Sequence, residues 1–350
     1  STMAPTVSFW DTGEFIATSH ILGVPHPPGS PLFLLVGKFF SLIPISSDIA
    51  FRVNIFSPII SALTISLLFL ICNQFIDRID PSDNNKFFKM WSSLTASLTF
   101  AFTHSHWFNA VETEVYAFSG FMTALVVFLI MRWSQKIHDS NHIIYLIFIS
   151  YIIGLATGLH LLNLLTIPFI GLIIYFSIGK LSTKNLILTF IFSLIIFFGI
   201  QSIIIKGLPQ LTASLGLVGL SFLIILWVIA TIYSIKSNKT FLSIFLSSVL
   251  LIVIGYSTYF AIFIRSGQNP NIDENNPETI SEAISYLNRD QYGQMTILPR
   301  KFDNLPSKVS IVGSPADGNS QFSFDQELDY MFYDIPSQAS FLWNYQIKKM

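Results

Sequence analysis

The sequence predicts an all-α, multi-pass membrane protein, and three observations carry that prediction. Only 11% of its 350 residues are charged, against roughly 25% in an ordinary soluble domain. Mean hydropathy is +0.60. Eight apolar runs, 51–76, 88–104, 115–133, 142–159, 162–179, 185–205, 210–235 and 240–264, each approach the roughly 20 residues that a spanning helix needs. Their unbroken apolarity lacks the alternation of a barrel strand, so helices are the spanning element. A net charge of −1 leaves no footprint for nucleic acid. The single cysteine, Cys72, allows no intrachain disulfide and is silent on compartment. No charged n-region precedes a short apolar run, so no signal peptide is visible, and the start at Ser1 reads as the interior of a longer chain.

Loop composition sets the expected sidedness. Arg78, Lys86, Lys89, Arg132, Lys136, Lys180, Lys184, Lys236 and Lys239 fall in one set of loops, and Lys206 alone falls in the other. Basic loops face the cytoplasm. Residues 1–50 then form an outer first loop, 51–264 an eight-helix transmembrane domain, and 265–350 an outer, mixed soluble segment cut off at Met350. The run PLFLLVGKFFSLI, 31–43, is too short to span and carries Lys38. It is expected as a juxtamembrane helix on the outer surface, since a crossing there would flip every later loop. Trp91 and Trp133 near the inner boundary and Trp107 near the outer one fit an aromatic belt.

Almost no ionisable residue lies inside the spans, which argues against an ion-coupled transporter. Polar function is gathered on the outer side instead. The stretch VSFWDTGEFIATSHILGVPHPPGSPLF holds Asp11, Glu14, His20 and His26. Asp11 and Glu14 are three apart and share a helical face. On spacing alone a helix cap with a solvated acid reads equally well; the rigid turn HPPGSP beside it favours a built site. His104 and His106 are spaced i, i+2, off a common helical face and without a nearby cysteine, so interfacial hydrogen bonding outweighs zinc. Glu112 and Glu114 have the same spacing, so one of them at most is expected to face a cavity. His160 at an outer helix end suits a satisfied interfacial histidine or a ligand contact equally. Arg52 suits snorkelling or a lipid phosphate.

The stretches APTVSFWDTGEFIA, HPPGSPLF, FRVN, VETEVYAFS, GLHLLNLL and IDENNPE with YLNRDQYG run from residue 4 to about 293. Together they resemble the GT-C glycosyltransferases, in the branch containing the O-mannosyltransferase of plexin and related receptor domains and its bacterial relatives. That family pattern places a spanning helix before APTVSFWD, so the chain reads as a fragment at both ends. The resemblance implies a polyprenyl-phosphate sugar donor, mannose in this branch, and an acceptor protein offering Ser or Thr. It implies Asp11 as catalytic base with Glu14 beside it, the reverse assignment staying open. His26, Lys38, Arg52, His106, Glu112, Glu114, Tyr116, His160, Asn163 and Arg289 are the expected substrate contacts.

The chemistry fits this layout. A carboxylate takes the hydroxyl proton, and cations such as Arg52 and Lys38, helped by His160 or Arg289, steady the departing phosphate. That leaving group needs no general acid, so a single inverting displacement is simplest. No metal ligand set is assigned and a divalent cation stays open; the lipid-linked sugar is substrate, not cofactor. The rivals are sugar transfer to a lipid or envelope glycan, a transporter or flippase with polar groups at the midplane, and a membrane anchor. Residue usage rich in Ile, Asn and Lys points to a bacterial inner membrane with the site facing the periplasm, or to the ER lumen in a eukaryote.

Overall fold

The computed structural model describes residues 2–82, 85–178 and 181–293, with two short strands at 309–312 and 321–324. Residues 1–291 form one compact unit and 292–350 a second. The first unit opens with α1 (Thr12–Ile21), α2 (Pro31–Leu42), α3 (Ile49–Asn54) and α4 (Phe56–Ile79). There follow α5 (Lys86–Ala101), α6 (His104–Val111), α7 (Val115–Gln135), α8 (Ile143–Thr157) and α9 (Thr166–Ile178). The series ends with α10 (Thr183–Gly199), α11 (Gly207–Lys236), α12 (Thr240–Tyr256), α13 (Phe260–Ser266) and α14 (Ile280–Asn288). In the second unit β1 (Val309–Val312) pairs antiparallel with β2 (Gln321–Phe324), Val309 opposite Phe324.

Among the described residues, five stretches are long and apolar enough to cross a membrane: Ile49–Ile79, Val115–Gln135, Leu161–Ile178, Thr183–Lys236 and Thr240–Ser266. Helices stand at all eight expected positions, but α5 and α8 have only 16 and 15 residues. A π-helical segment, Ile200–Lys206, joins α10 to α11 in one 54-residue stretch. A straight helix of that length would measure about 80 Å, more than twice a hydrocarbon core of about 30 Å. Gly216, at φ 66° and ψ 174°, breaks it with a backbone conformation open to glycine. Phe190, Phe192, Phe198, Leu217, Val218 and Phe222 lie exposed along α10 and α11. Such a surface is a liability in water and the ordinary exterior of a protein in lipid. The first unit is a helical membrane protein.

Two packing features hold these helices in place. A ladder of edge-on rings, Phe15–Phe33 at 5.3 Å, Phe33–Phe56 at 6.1 Å and Phe56–Phe118 at 5.1 Å, ties α1, α2, α4 and α7 together. At the other seam α8 meets α12 through glycines: a side chain on Gly154 would run into the Ile252 carbonyl, and one on Gly255 into the backbone of Leu155. Small residues here let the two helices touch backbone to backbone. α2 starts on Pro31, whose ring presets a first-turn φ, and at 12 residues it measures about 18 Å. The stretch 265–291, expected to begin a separate soluble segment, instead belongs to the first unit. Its polar composition hid the reason: it is tied to the first loop by backbone pairing.

Candidate active site

Asp11 stands immediately before α1, and its carbonyl accepts the first helical bond, from the Phe15 N–H at 2.9 Å. A carboxylate there usually caps the next turn's N–H groups. This one makes no cap bond, and its side chain is 56% exposed. The capping reading of Asp11 is therefore corrected: the acid is held at the helix start without a structural task there. Glu14, one turn on, meets the same imidazole that Asp11 faces. Its Oε1 accepts the His26 backbone N–H and its Oε2 meets His26 Nδ1, both at 2.6 Å. His26 Nε2 then lies 3.8 Å from Asp11 Oδ2. Partial burial works to raise the Glu14 carboxyl, but its hydrogen bonds to His26 and the imidazole charge hold it below the usual carboxylate range. The same bond raises His26 against partial burial, with the charges of Glu14, Asp11 and Glu274 adding to it.

The turn carrying His26 is fixed from both sides. Pro27–Pro28 is a cis peptide and Gly29 sits at φ 89°; any side chain on Gly29 would collide with the Tyr286 hydroxyl. That hydroxyl, fully buried on α14, donates to the Pro25 carbonyl at 2.5 Å. Val24 N–H donates to the Ile272 carbonyl at 2.8 Å, and Glu274 N–H to the Val24 carbonyl at 3.0 Å. Arg265 reaches the Leu22 and Ile21 carbonyls. Residues 265–289 thus brace the acidic loop and bring Glu274 to it. Burial, with the charges of Glu14 and Asp11, raises Glu274, while His26 works against the rise.

A second acidic loop meets the first. Glu112 and Glu114 are both buried, at 2% and 4% exposure. Glu112 Oε2 accepts the Ser8 hydroxyl at 2.7 Å, and Glu114 Oε1 accepts the Asp11 N–H at 3.2 Å. The expectation that one at most would face the site assumed a helix. The backbone at both is extended, near φ −137° and −140°, and in extended chain residues i and i+2 point the same way. Asn54 locks the loops together: its Nδ2 donates to the Ala4 and Thr6 carbonyls, each at 2.8 Å, and its Oδ1 accepts from the Thr113 hydroxyl. Burial, joined by the charges of Asp11 and Glu112, pushes Glu114 up to about 7. The folded protein thus keeps a proton on Glu114 that an unfolded carboxyl would lose near 4.5, and stability falls as pH rises between the two. Replacing Glu114 with Gln should flatten that slope. In melts at pH 5 and pH 8 the variant should gain on the parent at pH 8, and an unchanged difference would contradict the assignment.

The other expected contacts divide. His160, before a 3₁₀ turn at Leu161–Leu165, accepts the Leu162 N–H at 3.3 Å through Nδ1 and packs edge-on to Tyr116 at 5.6 Å. Burial lowers it, and the nearby charge of Arg289 lowers it further. Tyr116 is half exposed, and its ring and the Arg289 charge both act on His160. Three expected contacts are engaged elsewhere. Asn163 is buried and spends its amide on Ser119, the His160 carbonyl and Thr123. Lys38 donates to the His20 carbonyl, and Arg52 to the Ser46 and Ser41 carbonyls. These groups close turns between α1, α2 and α3. His20 meets Ser41, while His104 stacks with Phe108. His106 lines an apolar cleft of about 520 Å³ with Pro58, Ile65, Trp107 and Val111, and burial lowers its pKa. Ser8, Thr113 and Tyr286, which join the loops, were not singled out in the sequence. All three lie inside the quoted motifs, Tyr286 opening YLNRDQYG, and that is the one signal available.

Among the described residues, Asp11, Glu14 and His26 offer ligand atoms within 4.8 Å of one another. As arranged, both Glu14 oxygens and His26 Nδ1 are taken up by their own pairing, which makes the cluster a charge-paired unit in its own right. Fold and site together define a helical membrane protein with an acid–imidazole cluster where its first loop meets the N-terminal end of α7. Residues 11–184 match the family model described as the protein O-mannosyl-transferase TMEM260 N-terminal domain. The chain is 30% identical over 189 residues to protein O-mannosyl-transferase tmem260 of Dictyostelium discoideum, covering 50% of this chain and 22% of the relative. It is 31% identical over 126 residues to protein O-mannosyl-transferase TMEM260 of Mus musculus, covering 36% and 16%. The match therefore spans well under a third of either relative's length. No solved structure matches the chain at a significant level.

Proposed function

We propose that the chain carries the catalytic membrane portion of a GT-C-type protein O-mannosyltransferase. The donor is a polyprenyl-phosphate mannose, the acceptor a Ser or Thr hydroxyl of a protein. The observation that carries this reading is the Asp11 carboxylate, exposed, uncapped and flanked by Glu14–His26 on one side and Glu112 and Glu114 on the other. The acceptor oxygen attacks the anomeric carbon as the carbon–oxygen bond to phosphate breaks. The bonding pair leaves with the phosphate, and the hydroxyl proton passes to Asp11. His160 and Arg289 take the phosphate, the part first expected of Lys38 and Arg52. One base and no covalent intermediate make the displacement inverting.

The reading includes eight crossings, with the π segment and Gly216 dividing the 54-residue stretch, and α2 lying along the outer surface. Residues 1–50 then face away from Lys86, Lys136 and Lys236. Cysteines placed at 26 and 86 on a Cys72-free background should label from opposite sides; same-side labelling would remove the site from the acceptor's compartment. The function itself is tested by incubating the intact protein with polyprenyl-phosphate mannose and folded receptor domains, reading transfer by mass. A product mass of one hexose on Ser or Thr is expected. Hexose found on lipid or glycan, with none on protein, would reassign the acceptor.

A further inference from the structure

We propose that Glu14 is a positioning residue that acts on Asp11 through His26, and that the Nε2 edge of His26 is what orients the Asp11 carboxylate. This rests on the reading of Asp11 as the base. Both Glu14 oxygens are engaged by one residue, one on its backbone N–H and one on its ring Nδ1, each at 2.6 Å. Two bonds to a single histidine fix the ring plane as well as its place, and second bonds of this kind orient an imidazole's far nitrogen. Phe15 packs against the ring at 5.7 Å and 60°, while Val24 and Pro25 are pinned by Ile272 and Tyr286. The imidazole therefore has little freedom left, and its free edge faces Asp11 Oδ2 at 3.8 Å.

Asp11, by contrast, is exposed and uncapped. His26 is its one ion-pair neighbour within 4 Å among the described residues. A small rotation of the Asp11 side chain closes the gap to a hydrogen bond. Glu14, with its carboxylate spent on His26, orients the base one residue removed from the chemistry. Glu274, held at Val24 by its backbone N–H from a segment beyond the matched domain, adds a further charge near the imidazole.

Asparagine and glutamine separate the two edges of the ring, because the Asn amide falls near Nδ1 and the Gln amide near Nε2. His26→Asn keeps the Glu14 grip and loses the edge toward Asp11. It should melt like the parent, keep KM for polyprenyl-phosphate mannose, and lose about 10²-fold in kcat, as a misplaced reacting group does. Glu14→Gln alone should lose kcat to a similar degree. The double variant should be no slower than His26→Asn. Losses that multiply in the double variant would show Glu14 acting directly and overturn the proposal, as would parental kcat in His26→Asn. Should His26→Asn melt early, the same cycle in His26→Gln decides, Glu14→Gln again adding nothing. Asp11→Asn assayed alongside separates the two ideas: normal turnover there removes the base reading itself, whatever the cycle returns.

Discussion

Asp11→Asn should lower kcat by about 10²–10⁴-fold, the usual loss when general-base help is withdrawn. Melting temperature and donor affinity should hold. Asparagine is isosteric, the carboxylate makes no cap bond, and the Asp11 N–H bond to Glu114 belongs to the backbone and survives. A capping role would give the opposite pattern, a stability loss of about 1 kcal/mol with turnover near normal. The uncapped geometry already separates the two, and the assay does so chemically. A second readout comes from Glu114. Its proton affinity is raised by burial and then by the Asp11 charge, so the neutral amide should bring it back toward the ordinary carboxylate value. Glu114 observed by infrared or NMR should then titrate lower in the variant. If Asp11→Asn turns over normally and Glu14→Gln is dead, the base is Glu14, and the transferase reading stands with the roles exchanged.

What could be read from residues alone depended on which signals are local. The helical, membrane-embedded character was legible because twenty or so apolar residues in a row have one physical meaning. The company of Asp11, Glu14 and His26 was legible because helix spacing and the HPPGSP turn are short-range features. Glu112 and Glu114 were misjudged because the link between α6 and α7 is extended, and nothing local distinguishes a short extended link from a helical turn. Lys38 and Arg52 looked like phosphate ligands. In the structure they bond backbone carbonyls of α1, α2 and the link between α2 and α3, and a carbonyl has no signature in a sequence. The brace of Val24 by Ile272 and Glu274 joins positions far apart in the chain, and a single parallel bridge leaves no pattern of alternation to find. The polar composition of 265–291 marks a segment outside the spans, but does not show that Ile272, Glu274 and Tyr286 tie it to the first loop.

Asn54 is where fold and site meet, and Asn54→Leu should be the most destabilising single change near the site. The side chain is fully buried, as is Thr113. Leucine is close to it in size, so little cavity term enters, and the loss isolates hydrogen bonding. Two donations to the Ala4 and Thr6 carbonyls vanish, and the Thr113 hydroxyl is left buried without its acceptor. The carbonyls sit on a partly exposed segment and regain water, so the orphaned hydroxyl dominates, at about 1–3 kcal/mol. The consequence reaches the chemistry by a short path. Residues 4–8 lose their anchor, Ser8 loses its hold on Glu112, and Thr113 no longer sets the extended link that aims both glutamates. Turnover and melting temperature should therefore fall together, unlike Asp11→Asn, where turnover alone falls. Asn54→Asp should be no rescue, because it retains the acceptor for Thr113 but sets a carboxylate against two carbonyls. A parental melting temperature in Asn54→Leu would mean that the two loops are held together by their other ties, the Ala4 N–H to the Val111 carbonyl and Ser8 to Glu112, not by this residue.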